Sequence, residues 1–250
     1  MNEKNIYKAT VIIFLLSVFI LSFQVKNLIQ AKELSNENEE VFEEIIDNNY
    51  EEINNSELKY IQDLVNKNIN GIAKLVNKEN ALELDYEPND LVRPNVKASK
   101  NYIYLSECAA EHLETMFNAA KTEDINLCLV SGYRSSKYQE KLYYNSLIKN
   151  GKEYTQKYVA EAAHSEHQTG LAADISSKTI NYKLIEDFEN TEEGIWLKEN
   201  SYKYGFILRY KKDRVEDTGY GFEPWHFRYV GYEIAKYIYE NDLILEDLYD

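Results

Sequence analysis

Two short segments, each holding a histidine and a carboxylate, place the strongest constraint on how this chain can fold. In the run SEHQTGLAAD, His167 and Asp174 stand on either side of a glycine turn that leads into a predicted strand. In the run EPWHF, about fifty residues later, Glu223 and His226 stand at the start of another predicted strand. A fold that brings the two segments together gathers two imidazoles and a carboxylate at one point.

Those three side chains match the ligand set of one kind of metal site. A catalytic zinc uses three protein ligands and keeps a position open, whereas a structural zinc closes that position, usually with cysteine. The cysteines, Cys108 and Cys128, lie outside both segments. The sequence therefore predicts one zinc ion per chain, held by His167, Asp174 and His226. Ligand type alone leaves manganese and iron open.

The composition limits the partners and cross-links of the chain. Nucleic-acid-binding proteins concentrate Lys and Arg on one face, and this chain has a formal net charge of -15, so we expect no nucleic-acid partner. Two cysteines are too few for a disulfide scaffold, and Cys128 lies in an apolar run typical of a buried thiol. A Cys108–Cys128 bridge stays open if the domain is exported.

The N-terminus predicts export. Basic residues precede an almost unbroken apolar run, residues 9–23, which is typical of a signal peptide or a membrane anchor. The best cleavage position, after Ala31, has a bulky residue two positions earlier. We therefore expect residues 1–32 to be an uncleaved single-pass anchor in the cell membrane, with the catalytic domain outside the cytoplasm. Secretion after cleavage is the alternative.

Two further regions follow the predicted anchor. Residues 33–69 are acidic, and apolar residues recur there at helical spacing, which predicts a stalk that is helical in part. Residues 70–250 mix helical and strand periodicities and have short connections after the later strands, which predicts an α+β domain with a central antiparallel sheet flanked by helices. The predicted helices are 106–121 with Ser106 as its cap, 138 to before Gly151, 195–202, and one from 232; the predicted strands are 127–130, 171–175, 206–210 and 225–230.

Three blocks carry a resemblance to a known family: SGYRS at 131–135, SEHQTGLAAD at 165–174 and TGYGFEPWHFRYV at 218–230. Their residues, order and spacing resemble those of the zinc D-alanyl-D-alanine carboxypeptidases of the VanY type, a group related to D-Ala-D-Ala dipeptidases and certain L,D-carboxypeptidases. The resemblance covers roughly residues 70–235. It implies the zinc D-peptidase fold that these enzymes share with Hedgehog domains, preceded here by the N-terminal helix and stalk.

The resemblance also implies roles for four residues besides the metal ligands. It assigns Glu223 as the catalytic base, and a carboxylate beside the attacking water can take its proton and pass it to the leaving amine. It assigns Arg134 to the negative charge of the tetrahedral intermediate, a role that suits a fixed guanidinium fork. Ser165 and Gln139 match positions that help to hold the peptide terminus.

The activity implied by the resemblance is that of a metallo-carboxypeptidase, not a serine-type enzyme. Its substrate would be a peptidoglycan stem peptide or a lipid-linked precursor ending in D-Ala, and removal of that residue can contribute to glycopeptide resistance. Two alternatives stay open, namely an L,D-carboxypeptidase that trims tetrapeptides and a non-catalytic cell-wall-binding module. The chain has Ala162-Ala163 and Lys211 where the family often has Pro-Gly and Pro, which leaves substrate preference open.

Overall fold

The computed structural model describes residues 22, 26–27, 39–68 and 71–249. The predicted anchor, residues 1–32, therefore lies almost wholly outside the described residues and stays a prediction. Within the described part of the chain, no helix is both long enough and apolar enough to cross a membrane. The chain divides into two compact units, residues 1–63 and 64–250.

A long helix, α1 (Glu39–Lys67), lies within the predicted stalk and spans 29 residues. The helical spacing of the apolar residues in this acidic segment favours such a helix. The function of the segment as a stalk stays a prediction.

The second unit has the predicted α+β architecture with antiparallel sheets. Its strands are β1 (Leu91–Val92), β2 (Leu105–Ser106), β3 (Leu127–Ser131), β4 (Ala172–Ser177), β5 (Phe206–Leu208) and β6 (His226–Tyr229). Four of them form the main sheet in the spatial order β3-β4-β6-β5, and each neighbouring pair is antiparallel. A separate antiparallel pair, β1-β2, lies earlier in the chain.

Helices pack against this sheet to form the core. The first of them, α2 (Glu107–Thr122), is amphipathic, and its buried residues Leu113 and Met116 join a cluster with Leu129, Ile175 and Phe227 of the sheet. The α-helices that follow in this unit are α3 (Ser136–Asn150), α4 (Lys152–Tyr158), α5 (Glu192–Asn200), α6 (Val215–Thr218) and α7 (Tyr232–Glu240).

The structure corrects one helix cap and supplies another. Ser106 precedes α2 as predicted, but its side chain makes no capping bond to the helix and instead donates to Asp90 Oδ1 at 2.7 Å. A side-chain cap is found at α3, where Ser135 Oγ accepts from the Tyr138 N–H at 3.3 Å. Helix α3 ends at Asn150, just before Gly151, as predicted, and α4, which was not predicted, begins directly after Gly151.

The two cysteines are free thiols. Cys108 on α2 is half-buried and Cys128 on β3 is buried. Burial raises the pKa of both thiols, which favours their protonated form at neutral pH. The bridge that export would allow is not formed in this structure.

The register of the sheet positions the candidate ligands. Asp174 on β4 pairs directly with His226 on β6 and, on its other side, with Ser131 at the end of β3. The short helix Glu166–Thr169 leads into β4 through Gly170, which has a left-handed φ of 71°. A side chain at Gly170 would be strained and would press on the Ser106 backbone, so this turn into the strand favours glycine.

Candidate metal centre

The three predicted ligands meet at Asp174 Oδ1. This oxygen lies 3.3 Å from His167 Nε2 and 3.3 Å from His226 Nδ1, and the candidate ligand atoms of the three residues all lie within 4.8 Å of one another. All three side chains are buried, and Oδ1 of Asp174 has no hydrogen-bond partner among the residues that the structure describes. A buried carboxylate oxygen that faces two imidazole nitrogens without a directed donor suits a cation. The donor set therefore fits the predicted zinc.

Hydrogen bonds on the outer side of each imidazole fix which nitrogen faces the centre. Nδ1 of His167 lies 2.7 Å from the Gly132 carbonyl oxygen, which can only accept, so Nδ1 carries the proton and Nε2 is left for a metal. Nε2 of His226 lies 3.1 Å from Glu166 Oε2, which leaves Nδ1 for a metal. The two histidines thus present opposite ring nitrogens.

The charges of the metal-free site follow from burial and from these contacts. Burial lowers the pKa of His167 to about 4, so this imidazole is neutral at pH 7. Burial also disfavours the charged form of His226, but the carboxylates of Asp174 and Glu166 outweigh it and raise its pKa to about 9. Burial raises the pKa of Asp174, yet His167 and Arg134 hold it well below its ordinary value. At neutral pH a metal must therefore displace a proton from His226.

Glu223 lies beside the ligand cluster, as a catalytic base must. Its Oε2 is 3.7 Å from His226 Nδ1, and the residue is buried. Burial raises the pKa of its carboxyl to about 8, within the range in which a group can both take and return a proton near neutral pH. The geometry is compatible with the predicted role, which stays a prediction.

Arg134 is held by three groups of the protein. Its Nη2 donates to Asp174 Oδ2 at 2.6 Å, its Nε to Ser131 Oγ at 3.0 Å, and its Nη1 to Gln139 Oε1 at 3.4 Å. Gln139 is buried and donates to the Ala160 carbonyl oxygen at 2.8 Å. The structure therefore places Gln139 as a support for Arg134. Its predicted contact with the peptide terminus stays a prediction.

One cleft of about 710 Å³ contains all seven predicted site residues. Residues of α3 and α4 also line the cleft, among them Tyr138, Leu142 and Tyr154. A hollow of about 850 Å³ along β5 contains none of the predicted residues. The cleft residues predicted from sequence are Arg134, Gln139, Ser165, His167, Asp174, Glu223 and His226.

The sequence analysis did not identify Glu166 as a functional residue, although it stands between Ser165 and His167 in the run SEHQTGLAAD. Its only signal was its position next to a predicted ligand. Its partners, Arg209 and Arg228, lie far along the chain, and each of the three side chains is completely buried.

Known proteins are similar to this chain in sequence and in fold. The family model described as VanY, D-alanyl-D-alanine carboxypeptidase, matches residues 102–232. YodJ of Bacillus subtilis (strain 168) is 46% identical over 190 residues, which cover 74% of this chain and 69% of that protein.

Two solved structures are similar in fold. The LD-carboxypeptidase LdcB superposes with a TM-score of 0.66 and 47% identity, covering 70% of this chain and 84% of that one. A mutant of the vancomycin resistance D,D-pentapeptidase VanY, in complex with Zn(II), gives a TM-score of 0.60 and 31% identity, covering 72% of this chain and 99% of that one. The buried donor set and these similarities agree, and the chain belongs to the VanY family of D-alanyl-D-alanine carboxypeptidases and is a zinc-dependent hydrolase.

Proposed function

We propose that this protein removes the C-terminal D-Ala from peptidoglycan stem peptides or their precursors. The observation that carries the proposal is the position of the unpartnered Asp174 Oδ1 between two imidazole nitrogens, with the Glu223 carboxyl beside them in an open cleft. Such a site can activate water against a peptide carbonyl. The family membership agrees with this chemistry.

His167, Asp174 and His226 would hold the zinc ion. When bound, zinc polarises the scissile carbonyl and makes water more acidic. Glu223 would take the proton of the attacking water as the C–O bond forms, and would deliver it to the amine of the departing D-Ala as the C–N bond then breaks.

Arg134 can stabilise the negative charge that develops on the carbonyl oxygen. A guanidinium has five N–H donors, of which Asp174, Ser131 and Gln139 take three. Arg134 lines the cleft, so the other two donors can serve a bound substrate. Because the first three contacts fix the plane of the fork, the remaining donors are positioned before substrate binds. Ser165, buried in the same cleft, would help to hold the peptide terminus.

A second candidate function is L,D-carboxypeptidase activity on tetrapeptides. It is favoured by the 47% identity with the LD-carboxypeptidase LdcB, against 31% with the D,D-pentapeptidase VanY. The zinc ligands do not distinguish the two substrates, because both reactions cleave an amide bond to a terminal D-Ala.

Incubation of the zinc-loaded protein with pentapeptide and tetrapeptide muropeptides, followed by mass spectrometry, tests both functions. We expect release of D-Ala from the pentapeptide. Release from the tetrapeptide alone would refute the D,D-activity and support the L,D-activity. Release from neither, by protein that binds zinc, would support a non-catalytic wall-binding module. Glu223→Ala is the control for contaminating activity.

We also propose that the protein works outside the cytoplasm, attached to the cell membrane by residues 1–32. The support is the apolar run at 9–23 and the basic residues before it. Membrane fractionation and mass spectrometry of the N-terminus would test this. A soluble protein that begins just after Ala31 would show that the segment is a cleaved signal.

A further inference from the structure

Glu166 connects a candidate zinc ligand to two buried arginines. Its Oε2 lies 3.1 Å from Nε2 of His226, on the opposite side of the ring from Asp174. Its Oε1 accepts from Arg209 Nε at 2.7 Å and from Arg228 Nη1 at 2.9 Å. The side chains of Glu166 and both arginines have no exposed surface.

The carboxylate is held in place from several directions. Arg209 uses its two terminal nitrogens to bind Glu246, at 2.8 and 2.6 Å. Arg228 donates from Nη2 to the carbonyl oxygens of Ile72 and Lys74, at 3.0 and 2.8 Å. Because both guanidinium groups are anchored, Glu166 cannot turn without breaking charged hydrogen bonds in a buried setting.

The two histidines differ in the group that their outer ring nitrogen contacts. His167 donates its outer proton to a neutral carbonyl oxygen, that of Gly132, whereas His226 faces a carboxylate. A carboxylate that accepts from the outer nitrogen fixes the orientation and tautomer of an imidazole and makes it a stronger donor to a metal.

We propose that Glu166 is a positioning residue of the zinc site, which accepts the Nε2 proton of His226 and thereby directs Nδ1 toward Asp174 Oδ1. This inference rests on the proposed function only in taking the three-residue cluster as the zinc site. The positive charges of Arg209 and Arg228 offset the negative charge of the Glu166 carboxylate. The carboxylate can therefore stay buried and ionised while it accepts a hydrogen bond from His226.

Zinc affinity, measured by competition with a chromophoric chelator, tests the proposal independently of turnover. We expect Glu166→Gln and Glu166→Ala to weaken zinc binding by about 10- to 100-fold. The matched control is Glu189→Gln, which removes a partly exposed carboxylate that pairs with Lys212, outside the network that holds Glu166. It should leave the zinc affinity unchanged even if it lowers the melting temperature.

The outcomes separate this proposal from the proposed function. Wild-type protein that binds no zinc would refute the metal site itself. Wild-type protein that binds zinc, with no loss in the Glu166 variants or an equal loss in Glu189→Gln, would overturn only the role of Glu166.

A measurement on the wild type keeps the proposal testable if the Glu166 variants do not fold. Nitrogen-15 NMR of the histidine side chains in the zinc-loaded protein reports which ring nitrogen carries the proton. We expect His226 to be protonated at Nε2, with slow exchange against solvent, and His167 at Nδ1. A proton on His226 Nε2 that exchanges rapidly with water would overturn the proposal.

Discussion

Replacing Arg228 with methionine should destabilise the catalytic unit far more than the same replacement at Arg214. The Arg228 side chain is completely buried and donates to Glu166 and to the carbonyl oxygens of three residues. Arg214 also binds two carboxylates, those of Asp217 and Asp247, but 24% of its side chain is exposed. The two variants therefore remove the same chemical group from a dry and from a wet setting.

The expected magnitudes differ accordingly. Removing one partner of a buried ion pair costs about 3–5 kcal/mol in the free energy of unfolding, because the other partner and the carbonyl oxygens are left unpaired. A surface pair contributes only about 0–1 kcal/mol. For a unit of this size, 1 kcal/mol corresponds to roughly 2–4 °C, so Arg228→Met should lower the melting temperature by roughly 6–20 °C and Arg214→Met by at most about 4 °C.

Urea unfolding of the zinc-free proteins, followed by tryptophan fluorescence and by circular dichroism, would measure both effects. Zinc is left out because a metal that binds only the folded state adds its own stabilisation. If Arg228→Met were no less stable than Arg214→Met, the buried network around Glu166 would contribute nothing specific to stability, and the reasoning would be refuted.

Three further predictions concern the zinc site. Glu223→Gln should lower kcat by about 10²–10⁴-fold with zinc content unchanged, because an amide cannot take the proton of water; kinetics with metal analysis checks this, and wild-type turnover would contradict it. Gly132→Ala should weaken zinc binding, because the added Cβ would collide with the Tyr104 carbonyl oxygen and shift the backbone of residue 132, whose own carbonyl oxygen accepts from His167. Chelator competition checks this, and wild-type affinity would contradict it. Zinc affinity should fall as the pH falls below about 9. Burial lowers the pKa of His226, but the nearby carboxylates outweigh it and raise this pKa to about 9, so zinc must compete with a proton and its affinity should drop by about tenfold per pH unit. A zinc titration that shows no pH dependence would count against this.

The local features of the fold could be predicted from the sequence because glycine and periodicity mark them directly. Gly151 ends α3 and Gly205 precedes β5, and the four strands of the main sheet begin within one residue of their predicted starts. Helix α4 was missed because seven residues are too few to show a helical period.

The meeting of the two ligand segments could be predicted, but the strand register and the buried ion pairs between distant residues could not. The direct pairing of Asp174 with His226 depends on the register of β4 against β6, which the sequence does not encode locally. The link between Arg134 and Asp174 crosses 40 positions, and those between Glu166 and its two arginines cross 43 and 62. A charged residue in a sequence is most often solvated, so a buried network of this kind is visible only in the structure.

The central claim is that His167, Asp174 and His226 hold one zinc ion. Anomalous diffraction at the zinc absorption edge, from crystals of the zinc-loaded protein, tests it most directly. We predict one peak within about 2.0–2.2 Å of His167 Nε2, a carboxylate oxygen of Asp174 and His226 Nδ1. The absence of a peak at this cluster, or a zinc ion bound by other residues, would contradict it.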